Sequence, residues 1–412
     1  MYVDLHPRFE HTDEGRRARE LTGACVHCGF CLETCPTYLD GRDERDSPRG
    51  RIYLIKQLLE TGGAGAATRT HLDRCLTCRA CETACPSGMR YGELLDIGRG
   101  LIEQEAPRPA HRRLGRWLLR RTLTRPRLLR PALGLAQRLR PLLPAALRRR
   151  VPAPQTAGPR PERRHARKML VLEGCVQRAA APATNGAARR VLDRLGVSLI
   201  AAPRAGCCGA VDYHLADHAA GLDAMRRNID AWWPHIEAGA EAIVSTASGC
   251  GAMLADYGRL LAGDADYAGR ARRVSELARD LTQVLANEDL QRLEFTAPAG
   301  KVAVHTPCTL QHGPGPHGSV ETILRRAGFD LAATRDDHLC CGSAGTYSVL
   351  HPAAADRLGQ RKLAALTGDE PALIATANIG CQLHLAGFDR VPVVHWIELL
   401  DRGQPASLTH AG

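Results

Sequence analysis

Two runs, Cys25-Val26-His27-Cys28-Gly29-Phe30-Cys31 closed by Cys35-Pro36 and Cys75-Leu76-Thr77-Cys78-Arg79-Ala80-Cys81 closed by Cys85-Pro86, repeat the spacing CxxCxxCxxxCP. Thiolates two residues apart can be turned onto one iron–sulfur cube, and in this spacing the fourth cysteine serves the other cube. The ligand sets therefore cross. Cys25, Cys28, Cys31 and Cys85 are expected on one cluster, and Cys75, Cys78, Cys81 and Cys35 on the second. The chemistry is electron transfer. Each closing proline fixes φ, so the chain leaves the cube in a set direction. Structural zinc would need only two separated pairs and would leave the third cysteine of each run without a task. Disulfides fit poorly, because Met1 to Glu20 is charged almost throughout and carries no apolar leader; a reducing cytoplasm is expected instead.

The other eight cysteines form two matching sets: Cys175, Cys207-Cys208-Gly209 and Cys250, then Cys308, Cys340-Cys341-Gly342 and Cys381. Both Cys175 to Cys207 and Cys308 to Cys340 are steps of 32 residues; Cys208 to Cys250 and Cys341 to Cys381 are steps of 42 and 40. Such agreement points to duplication of one supersecondary unit. Single buried cysteines are common as small apolar residues, but adjacent pairs recurring at one interval are better read as ligands.

Elements that could position these thiols are legible around them. Short apolar runs end just before the cysteines: Lys168–Leu172 before Cys175, Ala242–Ser245 before Cys250, Lys301–His305 before Cys308 and Ala372–Thr376 before Cys381. Val197–Ile200 and Phe329–Leu331 are candidate third strands ahead of each CCG, and Ala187–Leu195 and Ser319–Ala327 are helical stretches between. Alternating strand and helix implies parallel sheets, with binding groups at the carboxyl ends of the strands. Each repeat thus brings four thiols to one sheet edge.

The expected division is a helical two-cluster module over 1–105, a basic linker over 106–167, and α/β repeats over 168–295 and 296–412. The net charge of +11 is concentrated in one place. Residues 106–168 hold eighteen arginines, one lysine and a single acid, Glu162, for a balance of +18, so the rest of the chain is acidic. Leucine and arginine alternate there at roughly helical intervals, while Pro126, Pro131, Pro141 and Pro144 should cut the pattern into short pieces. Basic amphipathic pieces with a tryptophan suit an anionic membrane surface or an acidic partner; a solvated linker is the other reading. Interleaved aromatics are lacking, which argues against nucleic acid. No apolar run is long enough for a membrane span.

The whole chain resembles the iron–sulfur subunits of bacterial glycolate oxidase (glycolate dehydrogenase). Ala24–Cys31, Pro48–Gln57, Gly206–His214, Asn228–Pro234 and His338–Tyr347 carry the resemblance. It implies two [4Fe-4S] clusters and a hetero-oligomer with flavin-binding subunits that oxidise glycolate to glyoxylate. It also implies onward transfer to an acceptor such as quinone, at the cytoplasmic face of the inner membrane. The repeats also look like those of heterodisulfide reductases and of the iron–sulfur proteins of glycerol-3-phosphate and lactate oxidation, so those activities, or a zinc scaffold, stay open. In the heterodisulfide reductase pattern a fifth cysteine closes each repeat. Here Met253 and His384 stand in its place. A further cluster or metal is expected first on Cys308, Cys340, Cys341 and Cys381, with His384 as an extra ligand, and next on Cys175, Cys207, Cys208 and Cys250. His214, His305, His312 and His384 are candidate proton carriers. No dinucleotide fingerprint, P-loop or serine elbow is present, so glycolate itself is expected to bind elsewhere.

Overall fold

A computed structural model describes residues 1–293, 295, 299–313 and 319–401. The expected 295/296 boundary and the last stretch of the final expected domain, 402–412, fall outside or at the edge of the described residues.

Helices Asp13–Gly23, Pro48–Thr61, Ala66–Asp73 and Tyr91–Glu105 enclose the N-terminal core. Their starts are written locally. Thr12 accepts from the amide of Gly15, Ser47 accepts from that of Gly50, and Pro48 occupies the first turn, where its missing N–H costs nothing. Ile55, Leu58, Leu59, Leu72, Leu94 and Leu95 are fully buried between the helices. The two cysteine runs are turns draped over this core, each passing through a one-turn helix, Phe30–Glu33 and Ala80–Thr83.

The basic segment forms two full helices, Ala110–Leu123 and Pro126–Leu139, neither with a buried residue. Proline does not cut it as expected at Pro131, which lies inside the second helix; Pro126 sits in that helix's first turn, and Pro141 and Pro144 follow its end. The segment is a strap and not a free tether. Arg116 reaches Asp73 at 3.6 Å, Arg120 reaches Asp217 at 2.8 Å, and Arg150 reaches Asp356 at 2.9 Å, tying the module to both repeats.

In the first repeat, β1 (Arg167–Leu172), β2 (Val197–Ile200), β3 (Ile243–Ser245) and β4 (Ala278–Asp280) form a parallel sheet in the order β2-β1-β3-β4. In the second, β5 (Val302–His305), β6 (Leu373–Thr376) and β7 (Val393–His395) form a parallel sheet in that order. Leu331 contributes one parallel bridge to Val302, less than the third strand expected over Phe329–Leu331. The edge strands β4 and β7 are not legible in the sequence: three residues are too few to show a period.

One apolar core joins the repeats. Val171, Val191 and Val244 pack in the same cluster as Val302, Val304, Ala375 and Trp396. Across the join, Ser248 N–H donates to the Ala377 carbonyl at 3.1 Å, and His395 Nε2 lies 2.8 Å from the Thr246 carbonyl. Both sheets therefore present their carboxyl ends, with the cysteine loops, in a fixed relation.

Candidate iron–sulfur and cysteine-cage site

The first cysteine run and the second share a backbone pattern. His27 and Thr77, each preceding the second cysteine, have φ of 57° and 53°; Gly29 and Arg79, each following it, have φ of 90° and 60°. Left-handed backbone at non-glycine residues persists only where surroundings hold it. Arg79 is held by its ion pair to Asp256 at 2.6 Å. After each fourth cysteine a hydroxyl two residues on approaches the sulfur: Thr37 Oγ1 lies 3.3 Å from Cys35 Sγ, and Ser87 Oγ lies 3.2 Å from Cys85 Sγ. Met89 N–H also donates to Cys85 Sγ at 3.4 Å.

These turns gather the thiols around two small cavities. Cys25, Cys28, Cys31 and Cys85 line one of about 30 Å³, with Cys81 on its wall. Cys35, Cys75, Cys78 and Cys81 line another of about 20 Å³. None of the sixteen cysteines is joined in a disulfide. Burial, with Cys25 and Cys35 nearby, pushes the Cys31 thiol up to about 11, and burial raises Cys78 and Cys81 well above their ordinary value. Thiolates so placed need a cation at the centre, which is the donor chemistry an iron–sulfur cube matches. Sequence reasoning does not single out Arg51, only 1% exposed. Its guanidinium donates to the His71 carbonyl at 2.7 Å and to Thr37 Oγ1 at 3.2 Å, and its charge couples to Cys35 and Cys75. Asp43, Asp46 and His71 also converge, but Asp46 is already shared by Arg51, His71 and Arg74, an ion-pair hub.

The repeats build two thiol cages. In each, the glycine after the paired cysteines is left-handed, with φ of 92° at Gly209 and 89° at Gly342. A Cβ there would fall 2.7 Å from the Gly221 carbonyl oxygen or 2.8 Å from that of Ala355, so only glycine fits without movement. In the first cage Cys175, Cys207, Cys208 and Cys250 follow one another as successive neighbours; Cys175 and Cys208 donate toward Cys207, which lowers it and raises them. Asn228 and Tyr257 pin this loop, donating to the carbonyls of Cys207 and Cys208, each at 2.8 Å. In the second cage Cys308 and Cys340 stand 3.8 Å apart, and Cys341 lies against Cys381.

Placement of the histidines differs from the sequence expectation in emphasis. His305, at the end of β5, brings a ring nitrogen within 4.8 Å of the Cys341 and Cys381 sulfurs. Burial, aided by the Lys362 ammonium, pushes it down to about 3, so it stays neutral and able to ligate. His384 Nε2 instead faces the Ala355 carbonyl at 3.1 Å. His214 is tied to Asp96 at 3.0 Å, and His312 Nδ1 to Thr83 at 3.0 Å. Met253 is a core residue of the first repeat.

The second four-thiol set and the second cage adjoin. Cys78 and Cys308 join the apolar cluster of Leu76, Cys340, Tyr347, Ala355 and Leu358, and Cys78 couples electrostatically to both Cys308 and Cys340. The first set lies outermost: Cys28 is exposed, flanked by exposed Val26 and Phe30.

A two-cluster module docked on a duplicated, cysteine-bearing parallel-sheet unit defines the class, an iron–sulfur electron-transfer protein. Family models agree: a 4Fe-4S dicluster domain matches residues 22–89, and a cysteine-rich domain (CCG) matches 169–255 and 302–386. The glycolate oxidase iron-sulfur subunit of Escherichia coli is 52% identical over 98% of this chain and 99% of its own. A probable glycolate oxidase iron-sulfur subunit of Bacillus subtilis is 31% identical over 95% of each. Lactate utilization protein A of Bacillus velezensis is 28% identical, but over 51% of this chain and 89% of its own. The chain belongs to the family of glycolate oxidase iron-sulfur subunits. Its cofactors are [4Fe-4S] clusters.

Proposed function

We propose that this chain relays electrons from a flavin-binding partner, on which glycolate is oxidised to glyoxylate, toward a quinone. The carrying observation is the gathering of eight thiols from two crossed runs around two adjacent cavities. Cys25, Cys28, Cys31 and Cys85 would hold one cluster, and Cys35, Cys75, Cys78 and Cys81 the other. Bound there, the clusters supply one-electron carriers between a two-electron flavin and a distant acceptor. The chain's own residues set the conditions. The Met89 amide donates to the Cys85 sulfur, the Thr37 and Ser87 hydroxyls stand beside the Cys35 and Cys85 sulfurs, Arg51 places a buried positive charge beside the second set, and Leu76 seals that set against the second repeat.

Cys308, Cys340, Cys341 and Cys381, with His305 in ligand range, are the first choice for a further centre, and Cys175, Cys207, Cys208 and Cys250 the matching set. The exposed edge at Val26, Cys28 and Phe30 suits contact with the flavoprotein. Among the described residues no helix is long and apolar enough to cross a membrane. The basic strap, with exposed Leu114, Trp117, Leu118, Leu135 and Leu142, suits peripheral contact with an anionic bilayer on the cytoplasmic face.

Iron and acid-labile sulfide counts on anaerobically purified protein test the ligand assignment. About eight irons per chain correspond to two cubes, and more to filled cages. A colourless protein loaded with zinc would end the relay reading.

A further inference from the structure

The carboxyl ends of the two sheets face a single cavity of about 870 Å³, lined by seven of the eight repeat cysteines, all but Cys341. The cavities inside the two N-terminal four-thiol sets measure about 30 and 20 Å³. The larger cavity has the size of a small-molecule site. Much of its wall is apolar, with Val176, Val211, Leu215, Ile379, Leu383 and Phe388, beside polar groups that include His214, Asn378 and His384.

Among the described residues that line it, one buried polar side chain is without a partner. Gln177, two residues after Cys175, is 1% exposed, and neither its Nε2 nor its Oε1 has a hydrogen-bond partner. An amide buried without partners has lost its water and gained nothing in return, a cost that a ligand carbonyl accepting from Nε2 would remove. Leu123, Arg149 and Arg150 of the basic strap also line the cavity, so its rim belongs to the segment with the exposed leucines.

We infer that this cavity binds the headgroup of a quinone between the two thiol cages, with the Gln177 amide donating to one ring carbonyl oxygen. Thiol centres on both sides, apolar walls, one orienting donor and a rim of leucine and arginine suit a flat, apolar, two-carbonyl acceptor drawn from a membrane surface. The inference rests on the reading that quinone is the acceptor. The overall change is glycolate plus quinone to glyoxylate plus quinol: the two electrons and two protons that the quinone gains equal those that glycolate loses on the flavoprotein, the protons exchanging through solvent.

The test uses the intact complex with its flavoprotein and two probes, decylubiquinone and a photoreactive azidoquinone. Photolabel displaced by decylubiquinone is expected on peptides spanning 174–177 or 379–388. Gln177→Leu should raise the KM for decylubiquinone about tenfold with a smaller change in kcat, Gln177→Asn should recover part of it, and Leu383→Trp should abolish the displaceable label. Label confined to other segments, or an unchanged KM in both Gln177→Leu and Leu383→Trp, overturns the site while leaving quinone as acceptor. Label appearing here but displaced by a small organic disulfide and not by decylubiquinone overturns it in favour of a disulfide. A wild-type complex that oxidises glycolate with a dye yet reduces no quinone overturns both the site and the reading beneath it.

Discussion

A buried arginine is an expensive residue unless its charge is used. Arg51 is hydrogen-bonded to His71 and Thr37, paired with Asp46, and coupled to Cys35 and Cys75. A positive charge beside a cluster favours its reduced form, so Arg51→Gln should lower the potential of the cluster beside Cys35 and Cys75, on the order of 50 mV. Arg51→Lys should restore most of it. Redox titration followed by EPR checks this, and equal potentials in all three proteins would count against it. The cysteines are legible at this scale because their spacing is their chemistry. Arg51 and Gln177 do not show their roles in the sequence, and His305 stands out there only as a proton carrier, because a side chain's distance from a thiol depends on burial and on chain segments far away in sequence.

At the scale of elements, the strands β1, β3, β5 and β6 lie where short apolar runs end before a cysteine, and the parallel sheets follow from strand–helix alternation. The strands β4 and β7 escape because three residues carry no period, and Pro131 lies inside its helix without ending it. The helix Trp396–Leu399 shows what duplication adds: it closes the second repeat against the first, where Thr184 donates to Glu398 Oε1. Burial pushes the Glu398 carboxyl up from 4.5 to about 7, with Thr184 opposing and Asp401 adding. The unfolded chain then releases a proton that the folded chain keeps, so this group's contribution weakens stability as pH rises from about 4.5 to about 7, and the loss is complete above that. Glu398→Gln should therefore melt at higher temperature than the parent at pH 8, by about 1–3 kcal/mol of stability, with the gap closing below pH 4.5. Melting curves across pH decide it; a gap independent of pH would refute the assignment.

For the whole molecule, the thiol sites form a series of neighbours. Cys28 lies at an exposed edge, Cys78 abuts Cys308 and Cys340, and the cages face one cavity rimmed by the basic strap. The thiol sets are legible in the sequence but their adjacency is not, because it is made by packing such as that of Cys78 and Leu76 with Cys308 and Cys340 across long stretches of chain. Charge of +18 within residues 106–168 predicts that the protein co-sediments with anionic vesicles at low salt and is released at high salt, while neutral vesicles retain little. Absence of binding to anionic vesicles at low salt would remove the membrane contact. Electron relay through the two crossed thiol sets should be visible in low-temperature EPR of the anaerobically purified complex before and after glycolate. Signals of reduced [4Fe-4S] clusters that grow on adding glycolate and are lost in both Cys35→Ser and Cys85→Ser are predicted. A complex that turns over glycolate with no change in any iron–sulfur signal would contradict it.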